Sequence, residues 1–116
     1  MILVRITMKV MEEKQKEVVQ TLLSLMHHMD KEAGCLIYAF MTDISDGNIL
    51  YVHEEWENRE KLDNHLKSDL FGVLLGLKSL LHEPHGIDIY TVEKAEGMNA
   101  VLSARSKREP GIRRKQ

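Results

Sequence analysis

Ile49-Leu50-Tyr51-Val52-His53-Glu54-Glu55-Trp56-Glu57-Asn58-Arg59-Glu60-Lys61-Leu62-Asp63-Asn64-His65-Leu66 changes its periodicity at a single point, and that change decides the fold. Up to Glu57 the side chains alternate, as in a strand: Leu50, Val52, Glu54 and Trp56 share one face, His53, Glu55 and Glu57 the other. From Asn58, a good helix N-cap, the spacing turns helical. Leu62, Leu66, Leu70, Val73, Leu74, Leu77, Leu80 and Leu81 form one apolar stripe, which predicts a single helix from Arg59 to about Leu81. His82-Glu83-Pro84-His85-Gly86 stops it, because proline cannot continue a helix.

Working outward, Cys35 to Thr42 is rich in β-branched, aromatic and apolar residues, and Asp43 to Asn48 is turn chemistry. Together with Ile49–Glu57 they make a hairpin. Before it, Glu12 to about Lys31 carries Val18, Val19, Leu22, Leu23, Leu25, Met26 and Met29 at helical spacing, with Gly34 placed to cap it in a left-handed conformation. Ile2 to Val10 alternates cleanly as a first strand, and Ile87 to Val92 supplies the last. The order is βαββαβ, an α+β, ferredoxin-like antiparallel sheet with both helices on one face. The opposite face, with Leu3 and Tyr51 among its residues, is too apolar to leave wet. Two such faces packed together predict a homodimer closed as an α/β barrel.

At 116 residues the chain holds one domain, expected over residues 1–93. Residues 94–116 read as a basic tail, helical from about Ala95 to Lys107. No apolar run approaches the ~20 residues that span a bilayer. The N-terminus lacks the basic region and cleavage site of a signal peptide. The lone Cys35 cannot form an intramolecular disulfide, so a reducing, cytoplasmic setting is expected. The net charge of −2 conceals an asymmetry: residues 101–116 hold six bases and one acid, leaving ten bases and seventeen acids in residues 1–100. A +5 tail thus follows a −7 body. No aromatic residue interleaves the tail's charges to stack on bases, which speaks against nucleic acid as partner.

Several chemistries find no support. His82 and His85 flank a proline, and His27 and His28 point about 100° apart on a helix, so neither pair has zinc-site spacing. There is no glycine-rich phosphate loop or dinucleotide fingerprint. Cys35, at a strand start, reads as a small buried hydrophobe with no histidine to activate it. The residues call for no metal and no cofactor.

Three segments, in order and spacing, resemble the antibiotic biosynthesis monooxygenase family. They are Glu32-Ala33-Gly34-Cys35-Leu36-Ile37-Tyr38, Tyr51-Val52-His53-Glu54-Glu55-Trp56-Glu57-Asn58, and Leu62-Asp63-Asn64-His65-Leu66-Lys67-Ser68-Asp69-Leu70-Phe71. The resemblance covers residues 1 to about 93 and implies a dimeric barrel with a pocket in each subunit between sheet and helices. It leaves the reaction open, since the family spans cofactor-independent oxygenases, haem-degrading enzymes, isomerase-like enzymes and members without known activity. The haem-degrading branch's catalytic Asn, Trp and His would fall on Ile6, His65 and Leu75, so haem breakdown is not expected. Of the actinorhodin-type oxygenases' site Asn, Trp and Tyr, only the Trp has a counterpart, Trp56. The others fall on Val52 and Leu62, which would line the pocket as apolar walls.

What survives is Glu54, Trp56 and His65. His65 lies at the edge of the second helix's stripe and is expected to face Glu54 across the sheet–helix gap. The carboxylate would fix one imidazole nitrogen and leave the other free as a base. Glu54 and His65 are therefore the expected catalytic pair, with Trp56, Tyr38 and Phe40 as aromatic lining. The expected activity is cofactor-independent monooxygenation of a small hydroquinone, quinol or enolisable aromatic substrate. The competing readings are a non-catalytic small-molecule binding or sensing barrel, and an isomerase using the same pocket.

Overall fold

In the computed structural model, which describes residues 1–107, the alternation of the first strand becomes β1 (Ile2–Lys9). Ile2, Val4, Ile6 and Met8 are buried, whereas Arg5 and Lys9 are exposed. After a 3-10 turn at Glu12–Lys14 comes α1 (Gln15–Met29), which buries Val18, Leu22, Leu25 and Met29 at helical spacing. Leu23 falls outside that row and stays exposed. The helix ends at Met29, short of Lys31, and Gly34 shapes the entry into β2 (Cys35–Thr42). Residues 108–116, the rest of the expected basic tail, lie outside the described residues.

Gly34, with φ of 81°, is alone among the described residues in holding a positive φ. Its carbonyl accepts from the Glu57 amide at 2.9 Å, which ties the turn to the far end of β3 (Ile49–Trp56). A Cβ at this position would collide with the Lys61 side chain. Gly34→Ala is therefore expected to cost about 1–3 kcal/mol, from the left-handed backbone and the collision together. A thermal melt reads the loss directly; an unchanged midpoint would show that the turn relaxes freely.

The second helix departs from expectation. The stripe from Leu62 to Leu81 is kept except at Val73, which is exposed, but the backbone breaks at Lys67-Ser68 into α2 (Arg59–Leu66) and α3 (Asp69–Gly76), followed by a 3-10 turn at Leu77–Leu80. Asn58 caps α2, its side chain accepting from the Lys61 amide at 3.0 Å. Ser68 causes the break: its Oγ accepts from the Phe71 amide at 3.2 Å as a new N-cap, and donates to the His65 carbonyl at 2.6 Å. One hydroxyl thus ends one helix and starts the next, and fixes the backbone of His65 between them.

β4 (Gly86–Thr91) closes the sheet, one residue earlier than expected at each end. The strand order is β2-β3-β1-β4, antiparallel throughout, which is the ferredoxin-like arrangement. Register places Glu54 between Val4 and Tyr38, and Trp56 opposite Ile2 and Cys35. A bulge between Cys35 and Ile37 leaves Leu36 as the extra, exposed residue. One face of the sheet carries the core, where α1, α2 and α3 bury Val18, Leu22, Leu62, Phe71 and Leu74 against Val4, Ile6 and Val52. β4 is exposed along its length, including Ile87 and Ile89. Among the described residues no element covers the other face, where Leu3, Ile37, Met41 and Tyr90 surround Arg5, His53, Glu55 and Asp88. Beyond β4, α4 (Met98–Ser106) forms within the segment where a helix was expected. No helix among the described residues is long and apolar enough to cross a membrane.

Candidate functional site

The inner face of β3 delivers Glu54 and Trp56 into the gap beneath α2, and the last turn of α2 delivers His65 from above. All three are buried, Glu54 and Trp56 with no accessible surface. The indole of Trp56 stacks on the His65 imidazole, with ring centres 4.6 Å apart and planes 28° apart. Phe71 and Tyr38 meet the same imidazole edge-on at 5.3 and 6.2 Å. His65 therefore sits in an aromatic box, so any charge it takes up is poorly screened by water.

The hydrogen bonds differ from the expected pairing. Glu54 Oε1 accepts from Trp56 Nε1 at 2.8 Å and stands 3.7 Å from His65 Nε2, too far for a hydrogen bond. The carboxylate that bonds the imidazole is Glu32, whose Oε1 lies 3.1 Å from His65 Nδ1. A carboxylate accepts, so Nδ1 donates, and in the neutral imidazole Nε2 is the nitrogen with the lone pair. That free nitrogen points toward Glu54. The chain of contacts is thus Glu32, His65, Glu54, Trp56, with the Glu32 side chain partly exposed at its outer end.

Sequence reasoning passed over Glu32 as a site residue although it opens the first quoted segment. It occupies the turn between α1 and β2, 33 residues from His65, and turn acids usually point into water. The available signal was the glycine two residues later: a strained turn holds its neighbours in fixed positions.

Burial pushes the Glu54 carboxyl above the usual carboxylate range, opposed by the Trp56 hydrogen bond and by the nearby imidazoles of His65 and His53. Burial also raises the Tyr38 hydroxyl well above its ordinary value, aided by the negative charge of Glu54, so Tyr38 remains a protonated phenol. The Cys35 thiol is pushed up to about 11, again by burial first and then by Glu54, Glu32 and Asp30. It is not a thiolate at neutral pH.

The Glu54 shift has a consequence for stability. A carboxyl raised in the folded state stabilises fully below its unfolded value, and that contribution is lost as pH rises through the raised folded value. Glu54→Gln keeps an acceptor for Trp56 and removes the titration. The thermal midpoint of Glu54→Gln relative to the unaltered protein is therefore expected to climb as pH is raised from about 4. A difference flat in pH would mean that Glu54 titrates normally.

Of the other expected lining residues, Tyr38 packs edge-on against Phe40, 5.2 Å between ring centres. Phe40 in turn borders a cleft of about 230 Å³ between α1 and β2, lined also by Val19, Leu22, Leu23, Met41 and Leu50. Val52 and Leu62 are completely enclosed in the core, where they back the cluster. Among the described residues no group of three or more His, Cys, Asp or Glu is disposed to hold a metal ion.

Comparison with known proteins fits this fold. The family model for antibiotic biosynthesis monooxygenases matches residues 1–74. A conserved protein of Methanosarcina mazei Go1 is similar in structure, with a TM-score of 0.75 and 31% identity over 79% of this chain and 92% of its own. A Deinococcus radiodurans protein, assigned provisionally as an antibiotic biosynthesis monooxygenase, shares the fold with a TM-score of 0.77 at 23% identity, covering 84% of this chain and 97% of that one. The uncharacterized protein sll1783 of Synechocystis sp. is 28% identical over 89 residues, 76% of this chain. The chain spans only 60% of that relative's length. With a family match over well more than half its length, this chain belongs to the antibiotic biosynthesis monooxygenase family.

Proposed function

We propose that the chain is a homodimeric, cofactor-independent monooxygenase of a small hydroquinone or enolisable aromatic substrate, with His65 as general base. One observation carries the reading: His65 Nε2 and Glu54 Oε2 are both buried and find no hydrogen-bond partner among the described residues. Leaving a buried polar atom unpaired costs about 1–3 kcal/mol. Two of them on neighbouring side chains, beside a stacked indole, suit a ligand hydroxyl that satisfies both.

In this mechanism the substrate enters past Glu32 and the half-buried Tyr38 and lays its ring near Trp56. His65 Nε2 takes the phenolic proton, while Glu32 holds the imidazole's orientation and balances its new charge. The electron-rich anion then reduces O₂. One oxygen atom enters the ring and the other leaves as water, so a hydroquinone and O₂ give a hydroxyquinone and H₂O. Enclosure keeps bulk water from quenching the anion. Glu54 accepts from Trp56 and presents its second oxygen to the substrate hydroxyl. The uncovered sheet face, with Leu3, Ile37, Met41 and Tyr90, supports the homodimer.

Oxygen uptake by purified protein over a panel of hydroquinones, with product masses, tests the proposal. Uptake with gain of one oxygen atom is the expected result. Binding without uptake would replace the oxygenase with a binding barrel, and conversion without O₂ would replace it with an isomerase. Light scattering at micromolar concentration should give twice the chain mass.

A further inference from the structure

Glu54 is the most deeply enclosed ionisable group among the described residues, with no accessible surface. Its carboxyl receives one hydrogen bond, from the neutral indole of Trp56, and that bond occupies Oε1. Oε2 is buried without a partner. Among the described residues no lysine or arginine pairs with Glu54, and the one basic group within ion-pair range is His65, at 3.7 Å. Were Nε2 protonated against a charged Glu54, the two would close to about 2.7–2.9 Å, the length of a charge-assisted hydrogen bond. The gap is wider, so no proton stands between them. Glu32, on the opposite nitrogen of the same ring, disfavours a second negative charge nearby. A carboxyl so enclosed and so poorly compensated keeps its proton.

The hydrogen-bond pattern fixes where that proton sits. Oε1 accepts from the indole, which leaves Oε2 to carry it. On the neighbouring side chain, His65 Nε2 is an acceptor without a donor. A phenolic hydroxyl has one hydrogen to give and lone pairs that accept. Two acceptors would compete for that hydrogen, whereas one donor and one acceptor match it.

We propose that Glu54 is a neutral acid whose Oε2–H donates to the substrate's hydroxyl oxygen, while that hydroxyl donates to His65 Nε2. The inference rests on the substrate reading above and gives Glu54 a role in it. When the proton moves to Nε2, the substrate O–H bond breaks and its electron pair stays on oxygen. Glu54 keeps its own proton and holds the phenolate. The arrangement also selects its ligand: an ether or carbonyl oxygen in this place has no proton to give His65.

The surroundings keep Glu54 in its acid form. Tyr38 and Cys35 on β2 are neutral, β1 sets Val4 beside it, and α2 brings His65 with Phe71 of α3 behind. His53, on the same strand, points to the other face and bonds Glu55. The upward shift of the Glu54 carboxyl agrees.

Infrared difference spectra at neutral pH, unaltered protein minus Glu54→Gln, read the proton directly. The C=O stretch of a protonated carboxyl is expected; carboxylate bands alone overturn the proposal. In oxygen uptake, Glu54→Leu should lower kcat by roughly 10²-fold or more, the usual cost of removing a donor to a developing oxyanion. Glu54→Gln supplies an N–H in place of the O–H and should recover at least tenfold of that loss. Its rate should also persist at high pH, where the unaltered protein passes through the raised Glu54 value and loses the acid form. A Gln variant no faster than the Leu variant overturns the donor. A protonated carboxyl without oxygen uptake leaves the acid standing and overturns the oxygenase; uptake with an ionised Glu54 does the reverse.

Discussion

His65→Ala is expected to slow oxygen uptake by roughly 10²-fold or more, the usual contribution of a positioned general base. The loss should appear mainly in kcat, since the imidazole acts on the proton in transit and the aromatic walls that hold the ring remain. His65 is nearly inaccessible, and removing it leaves a hole beside Trp56 and Phe71, so some stability is lost as well. The measurement must therefore be made on protein shown to be folded and dimeric. Glu32→Gln separates the two effects. It preserves the volume and most of the hydrogen bond to Nδ1 but removes the charge that balances an imidazolium, so kcat should fall while the fold holds. If His65→Ala turns over at the original rate, the base lies elsewhere.

The second large effect is structural. Trp56→Ala should destabilise by about 3–5 kcal/mol, the range for removing a buried large aromatic. The indole has no accessible surface, stacks on His65 and donates to Glu54, so its loss opens a cavity and strands another carboxylate oxygen. Trp56→Phe separates the two losses, because it fills most of the volume without the N–H. It should cost about 1–3 kcal/mol, the penalty for an unpaired buried acceptor. Chemical denaturation of both variants gives the comparison. A loss below about 1 kcal/mol for the alanine variant would mean that the niche collapses freely around the gap.

Part of the site could be read from the chain alone because strand parity is rigid. Once Val52 faces the core, Glu54 and Trp56 must follow it, and the helical stripe then puts His65 at the edge of the same gap. Pairing within the gap could not be read this way. Glu54 and His65 are brought face to face, yet an offset of under an ångström decides whether they bond, and the acceptor that does bond His65 comes from a turn distant in sequence. The broken second helix has the same origin. Its stripe is continuous whether or not the backbone is, so periodicity could not register the double duty of Ser68.

Residue order and periodicity determined the βαββαβ order, the inward face of β1 and β3 and most of the membership of the core. Those follow from burying apolar side chains at fixed backbone repeats, a local and repetitive constraint. Tertiary structure alone decided which carboxylate orients His65, where the helix breaks, and that α4 stands clear of its own body. Each depends on distances between segments remote in the chain, where a single hydroxyl or carboxylate oxygen, not a pattern, selects the outcome.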